Sequence, residues 1–170
     1  ADLVEIEVLD EALQILPAGQ LGEISVRGPS VMRGYLNKPE ETARVLQQNW
    51  FRTGDLGYKT ADQRIVLAGR IKDVINIAGI KVAPFEVEAA LNDHPQVSES
   101  AVVGMEDDMY GEVVKAFVKP RSGTRPEERE LMRYLQTRLM NFQVPKSIVF
   151  VDEFPRNNMG KIDKKALRSL

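Results

Sequence analysis

Three ionisable side chains in this 170-residue chain stand where their chemistry has an evident use. Asp55 follows Phe51-Arg52-Thr53-Gly54, Arg70 closes the apolar run that begins at Ile65, and Lys161 follows Asn157, Asn158 and Gly160 near the carboxyl end. An ionised carboxylate is acceptor-only and takes charge-assisted bonds from hydroxyl groups. A guanidinium offers forked donors that suit hydroxyl and phosphate oxygens. A lysine ammonium is a compact charge with three donors, suited to a centre where negative charge builds during a reaction. Each also has an ordinary reading: Asp55 closing a Gly-Asp turn, Arg70 in a structural ion pair, Lys161 as a solvated loop residue.

Other chemistries are closed off by composition. There is no cysteine, which excludes a disulfide scaffold and a thiolate metal site, and the single histidine, His94, makes an imidazole zinc site untenable. His94 lies in Asn92-Asp93-His94-Pro95 with nothing nearby to orient it, so it reads as a helix-ending surface residue without a role. No metal ligands are assigned. The net charge of -2 is evenly spread, with 8 basic and 10 acidic residues before Ile71 and 15 of each after it, which leaves no electrostatic footprint for nucleic acid. No apolar run approaches the roughly 20 residues that span a bilayer, and the amino end lacks the order of a signal peptide. A cysteine-free chain suits a reducing compartment, and a cytoplasmic location is expected. Ala1 leads directly into strand-like alternation, so it reads as an internal position of a longer polypeptide.

The elements that would position these residues fall into two textures. Residues 3–9 alternate Val4, Ile6 and Val8 against Glu5 and Glu7, the period of a half-buried strand, and Pro17 and Gly19 punctuate the chain before a second strand, Glu23–Arg27, its antiparallel neighbour. A short helix starts near Pro39, with Glu40 and Glu41 at its positive end. Trp50 and Phe51 read as core anchors, Gly54-Asp55 as a turn, and residues 61–63 as a loop between two strands.

From Gly69 the texture changes. A strand ends at Arg70, a tight polar joint follows at Lys72-Asp73, and a hairpin through Ile75, Ile77, Gly79, Ile80 and Val82 leads into a helix from Pro84 to about Asp93. Two apolar strands, a helix over Pro126–Asn141 striped by Leu131, Met132, Leu135, Leu139 and Met140, a third strand over Lys146–Asp152 and a short terminal helix complete the chain. The expected class is α+β. Residues 1–70 form a β-rich, barrel-like region, 71–73 a hinge, and 74–170 a small domain with helices on a three-stranded sheet.

The run Gly69–Glu88, GRIKDVINIAGIKVAPFEVE, resembles the hinge motif of the adenylate-forming superfamily, which includes acyl- and aryl-CoA synthetases, peptide-synthetase adenylation domains and luciferases. Three further stretches match in order: GEISVRG with Gly34-Tyr35, FRTGDL over Phe51–Leu56, and FPRNNMGKID over Phe154–Asp163. Four ordered matches are specific where one is weak. Together they cover essentially the whole chain and imply the end of the family's large amino-terminal domain plus its entire small carboxy-terminal domain.

The resemblance implies roles. Asp55 would accept hydrogen bonds from both ribose hydroxyls of ATP, Arg70 would face ribose and phosphate, Lys72 would be the pivot, and the hairpin around Gly79 would line the pantetheine channel. Lys161 would be the catalytic lysine, bridging a substrate carboxylate and the α-phosphate. The implied reaction is that of a carboxylic acid:CoA ligase: acid and ATP give acyl-AMP and pyrophosphate, then a thiol of CoA or phosphopantetheine displaces AMP, the small domain rotating between the steps. The Ala83-Pro84-Phe85-Glu86 wording of the hinge is that of CoA synthetases, and Asn76 stands where luciferases place a second lysine. Asn157 and Met159 replace the family's frequent Thr and Ser, a departure shared with some synthetases of short acids such as malonate. The phosphate loop, acyl pocket and Mg2+-binding glutamate lie earlier in family sequences, so this stretch alone is expected to be inactive and to need the missing amino-terminal domain. Two alternatives stay open: a domain that loads a carrier protein in a modular synthase, and a non-catalytic carrier-docking module, which would have no use for Lys161.

Overall fold

The computed structural model describes residues 4–170, and Leu3, the first residue of the first expected strand, lies outside them. The fold is mixed α+β and divides into two compact units, Ala1–Lys72 and Asp73–Leu170.

The first unit is a five-stranded antiparallel sheet with one short helix. Its elements are β1 (Glu5–Leu9), β2 (Gly22–Arg27), α1 (Pro39–Val45), β3 (Leu46–Gln47), β4 (Trp50–Lys59) and β5 (Ile65–Arg70). β4 is the spine. It pairs with β2 along one edge, and with β3 and then β5 along the other. β1 turns its Val8 and Leu9 inward, and Ile24, Trp50 and Ala68 join them in burial. Arg27 lies over the Trp50 ring, 4.4 Å from its centroid, which shields the face that the core leaves open. α1 starts at Pro39, where a missing N–H costs nothing, with Glu40 and Glu41 in its first turn.

The second unit is a sheet covered on both faces. It comprises β6 (Ile75–Ile77), β7 (Ile80–Val82), α2 (Pro84–Asn92), β8 (Val97–Asp107), β9 (Gly111–Pro120), α3 (Glu128–Gln136), β10 (Ser147–Phe150) and α4 (Lys164–Leu167). β9 is central: β8 pairs antiparallel along its length, β10 runs parallel to it, and Ile77 of β6 meets Gly111. Val102, Val114, Ala116 and Val118 face α2 and α3, where Val87, Leu91, Leu131 and Leu135 close one core. Ala101, Val103 and Phe117 face the other way and meet Phe154 and Leu167. Both faces are dry, so the strands read as nearly continuous apolar runs rather than alternating ones.

Three expectations change. The sheet has five strands where three were expected, because the hairpin β6–β7 joins it through β9. α3 stops at Gln136 rather than Asn141: the Arg138 N–H tightens to the Leu135 carbonyl, and the Thr137 hydroxyl bonds the Tyr134 carbonyl, which ends the helical ladder. Met140 is consequently 65% exposed and outside the apolar stripe. His94 is buried rather than at the surface, at 7% exposure. Its ring meets Tyr134 edge-on at 4.7 Å, and its Nδ1 accepts the Gln96 N–H, so it is a satisfied core residue.

Candidate functional site

Asp55 is aimed by a bulge rather than a turn. Gly54-Asp55, expected as a turn dipeptide, lies inside β4, where Glu23 faces Leu56 and Ser25 faces Arg52, so Ile24 alone opposes residues 53–55. Gly54 takes φ of +73°, which a glycine adopts without strain. The distortion is held from three sides. The Thr53 hydroxyl donates to the Ile24 carbonyl at 2.6 Å and accepts the Asp55 N–H at 3.1 Å. The Gly54 N–H donates to Glu23 Oε1 at 2.9 Å. Glu23, 7% exposed, has its other oxygen bound by Arg52 Nε at 2.6 Å, so the buried carboxylate is paired and bonded.

A second irregularity brings Arg70 to the same place. In β5 the register slips between Leu56 and Gly57, with Gly69 at φ of +135°, and Arg70 ends opposite Asp55. Arg70 Nε donates to Asp55 Oδ1 at 2.7 Å. Two sequence-predicted residues fifteen positions apart thus meet as a pair of half-exposed polar groups at a strand end. Lys72 is exposed on a short 3-10 turn, Ile71–Asp73.

Within the second unit, Lys161 sits on a hydrogen-bonded turn. Arg156 and Ile162 form an antiparallel bridge, and the Asn157 N–H donates to the Lys161 carbonyl at 2.9 Å. Asn157 Oδ1 accepts the N–H groups of Met159 at 3.0 Å and Lys161 at 3.1 Å. Asp163 then caps α4 by accepting from Lys165 and Ala166. Phe154 and Leu167, buried on either side, anchor the loop to the sheet, while the Lys161 side chain is exposed.

Gly79 occupies the tip of the β6–β7 hairpin with φ of +89°, and Ala78 before it also has positive φ, the geometry of a two-residue primed turn. A Cβ on Gly79 would meet nothing within 4 Å, so conformation, not crowding, demands glycine. Asn76 Oδ1 accepts the Gly79 N–H at 2.9 Å, and the Ala78 N–H donates to the Tyr110 carbonyl at 2.8 Å. That turn is fixed by Asp107, which accepts from Met109 and Tyr110 and pairs with Lys146 at 2.6 Å. The Lys146 ammonium, with the two N–H donors, holds the Asp107 carboxyl below its ordinary value.

Some contributors were not singled out from sequence. Glu23 is legible in the sequence only as the start of a strand, yet it holds the bulge beneath Asp55; the available signal is a carboxylate inside a strand that must bury, which requires a partner. Asn157 reads from sequence as a turn residue and as a departure from the family's Thr, without its side-chain bonds to the Met159 and Lys161 N–H groups. Among the described residues no group of three or more Asp, Glu, His or Cys could hold a metal ion. An open cleft of about 770 Å³ in the first unit is lined by Glu5, Arg27, Met32, Arg33 and Asn49, and contains none of the expected site residues.

Residues 86–161 match the family described as AMP-binding enzyme C-terminal domain. The chain is 37% identical to the oxalate–CoA ligase of Saccharomyces cerevisiae over 166 residues, 96% of this chain and 31% of that protein. It is 43% identical to a feruloyl-CoA synthase of an Amycolatopsis species over 153 residues, 90% of this chain and 31% of the other. ATP-bound MatB from Rhodopseudomonas palustris overlays with a TM-score of 0.91 at 38% identity, covering 98% of this chain and 33% of that one. The chain is similar to adenylate-forming ligases over nearly its whole length, and residues 86–161 match their C-terminal domain. It spans about a third of the length of these relatives. Among the superfamily's motifs, the Asp55 bulge, the Arg70 strand end and the Lys161 turn each have here a local backbone device that fixes them.

Proposed function

We propose that this chain is the carboxy-terminal part of an ATP-dependent, AMP-forming carboxylic acid:CoA ligase. The observation that carries the reading is the Asp55–Arg70 pair, built by two bulges at one strand end, which joins a hydroxyl acceptor to a forked donor. In the first half-reaction a substrate carboxylate oxygen attacks the α-phosphorus of ATP, a P–O bond forms, and pyrophosphate leaves with the electron pair of the broken P–O bond. Asp55 takes the ribose hydroxyls and Arg70 the ribose and phosphate oxygens. Lys161 bridges the carboxylate and the α-phosphate, stabilising the charge that builds there.

In the second half-reaction a thiolate attacks the acyl carbon and AMP departs, leaving a thioester. The Gly79 hairpin lines the path of the pantetheine arm, and Lys72 is the pivot about which the lid alternates between the two steps. The acceptor is CoA, and the phosphopantetheine of a carrier protein is the alternative. Mg2+ neutralises phosphate charge in such reactions; among the described residues no group of three or more Asp, Glu, His or Cys could hold it, and its ligands are expected from the amino-terminal domain. The setting is the cytoplasm, and the amino-terminal domain belongs to the same polypeptide.

The test is acid-dependent pyrophosphate release by the full-length polypeptide over a panel of short dicarboxylic, fatty and aryl-acrylic acids with CoA present. Lys161→Ala is expected to lower release about 100- to 1,000-fold, the loss seen when a preorganised charge-stabilising donor is removed. Release that is indifferent to Lys161 would sink the ligase assignment and leave carrier docking in front.

A further inference from the structure

Two ion pairs bracket the Lys161 turn, and the reaction above uses neither. Before the turn, Arg156 Nη2 donates to both carboxylate oxygens of Glu99, at 2.8 and 2.6 Å, while its Nη1 donates to the Gly160 carbonyl at 3.0 Å. After it, Lys164 pairs with Glu88 of α2 at 2.7 Å, and Glu88 also accepts the Val102 N–H at 2.8 Å. Glu99 belongs to β8 and Glu88 bonds its backbone, and among the described residues β8 pairs with β9 alone.

The first pair reaches the reactive residue most directly. One guanidinium spans from a sheet carboxylate to the carbonyl immediately before Lys161. The turn has little else to fix it from outside. Residues 157–161 are all exposed, and a Cβ at Gly160 would meet nothing within 4 Å, so no packing holds this backbone. Within the turn, Asn157 sets its shape; between the buried anchors Phe154 and Leu167, the side-chain tie from the turn itself to the sheet is Arg156 and Glu99. At 42% and 32% side-chain exposure such a pair contributes little to global stability, which leaves placement as the property it governs.

We propose that Glu99 is a positioning residue for Lys161, acting through Arg156 to hold the Lys161 backbone at a fixed place on the sheet. The inference rests on the catalytic role proposed for Lys161. It predicts an effect on one half-reaction alone, because Lys161 serves acyl-AMP formation and not thioester formation.

The experiment uses the full-length polypeptide with the acid selected by the panel above, and separately its synthetic acyl-AMP with CoA. Glu99→Ala is expected to slow pyrophosphate release about 10- to 100-fold, as a displacement on the order of an ångström does, with KM for ATP and acid held. Thioester formation from acyl-AMP keeps its rate, and Glu99→Gln, which preserves the acceptor oxygen, recovers most of the loss. Without any ligand, amide hydrogen exchange at Asn157, Gly160 and Lys161 rises in Glu99→Ala while exchange in β9 stays put. Equal losses in both half-reactions would mean that the pair merely stabilises the unit, and unchanged exchange with unchanged rates would mean that it does nothing; either overturns the proposal. If Lys161→Ala itself spares pyrophosphate release, the ligase reading has failed; if Lys161→Ala abolishes release and Glu99→Ala does not lower it, only the positioning role has.

Discussion

Asp55 and Arg70 carry two relations at once: each is the other's ion-pair partner, and each is proposed to bind nucleotide. The ordinary reading of Arg70, a structural ion pair, is therefore present in the same geometry as the functional one, and nucleotide hydroxyls would share Asp55 with a guanidinium that already orients it. Losing the charge while keeping the shape separates the two. Asp55→Asn is expected to raise KM for ATP about 10- to 100-fold, the worth of a hydrogen bond to a charged group, with the melting temperature nearly unchanged because the pair is half-exposed. Steady-state pyrophosphate release against ATP concentration checks this, and an unaltered KM would show that the pair serves the strand end alone. Asp55 was legible because its neighbours spell a recognised motif. Glu23 was not, since its partner Arg52 lies 29 residues away and only pairing of β2 with β4 brings them together.

Elements decide how far a substitution is felt. In α3, Leu135 is fully buried between the sheet and α2, while Met140 lies beyond the helix end. Leu135→Ala is expected to destabilise the second unit by about 2 to 5 kcal/mol and Met140→Ala by less than about 0.5, read by urea unfolding followed through Tyr134. Equal effects would contradict the helix end at Gln136. The Asp107 turn, which holds the tip of the Gly79 hairpin through the Tyr110 carbonyl, gives a dependence on pH. The Lys146 ammonium first, and then two N–H donors, lower the Asp107 carboxyl in the folded state from its ordinary 3.8. A depressed folded value adds stability that is fully present above the unfolded value and is lost as pH falls through the folded one. Stability at neutral pH therefore includes this contribution, which disappears on acidification below about 3.8. Asp107→Asn should flatten that part of the acid-unfolding curve, and an identical curve would remove the turn from the account.

At the scale of the molecule, the chain forms two compact units that meet in sequence after Lys72. Lys72→Pro fixes φ at that residue and pushes Ile71 out of helical geometry, so a backbone that must rotate there is stiffened. In the full-length polypeptide one half-reaction is expected to slow about tenfold or more while the other keeps its rate, measured by pyrophosphate release and by thioester formation from acyl-AMP. Parallel loss of both would speak for misfolding, and no change would speak against a pivot at Lys72. The 170 residues by themselves are expected to release no pyrophosphate with any acid, because no phosphate-binding loop is among them.

What the sequence by itself determined was local: the strand periods, the Pro39 and Pro84 helix starts, the Gly79 turn and the ordered motifs that name the superfamily. Each is written in neighbouring residues, through backbone conformation and side-chain alternation. Only the tertiary structure decided that Gly54-Asp55 is a bulge within β4, that the hinge hairpin joins the sheet of the second unit, that His94 is buried against Tyr134, and that Glu99 and Arg156 clasp the Lys161 turn. All four depend on partners 20 to 60 positions away in sequence, or on strand register, and a register is set by the packing of whole faces that no single stretch of chain contains.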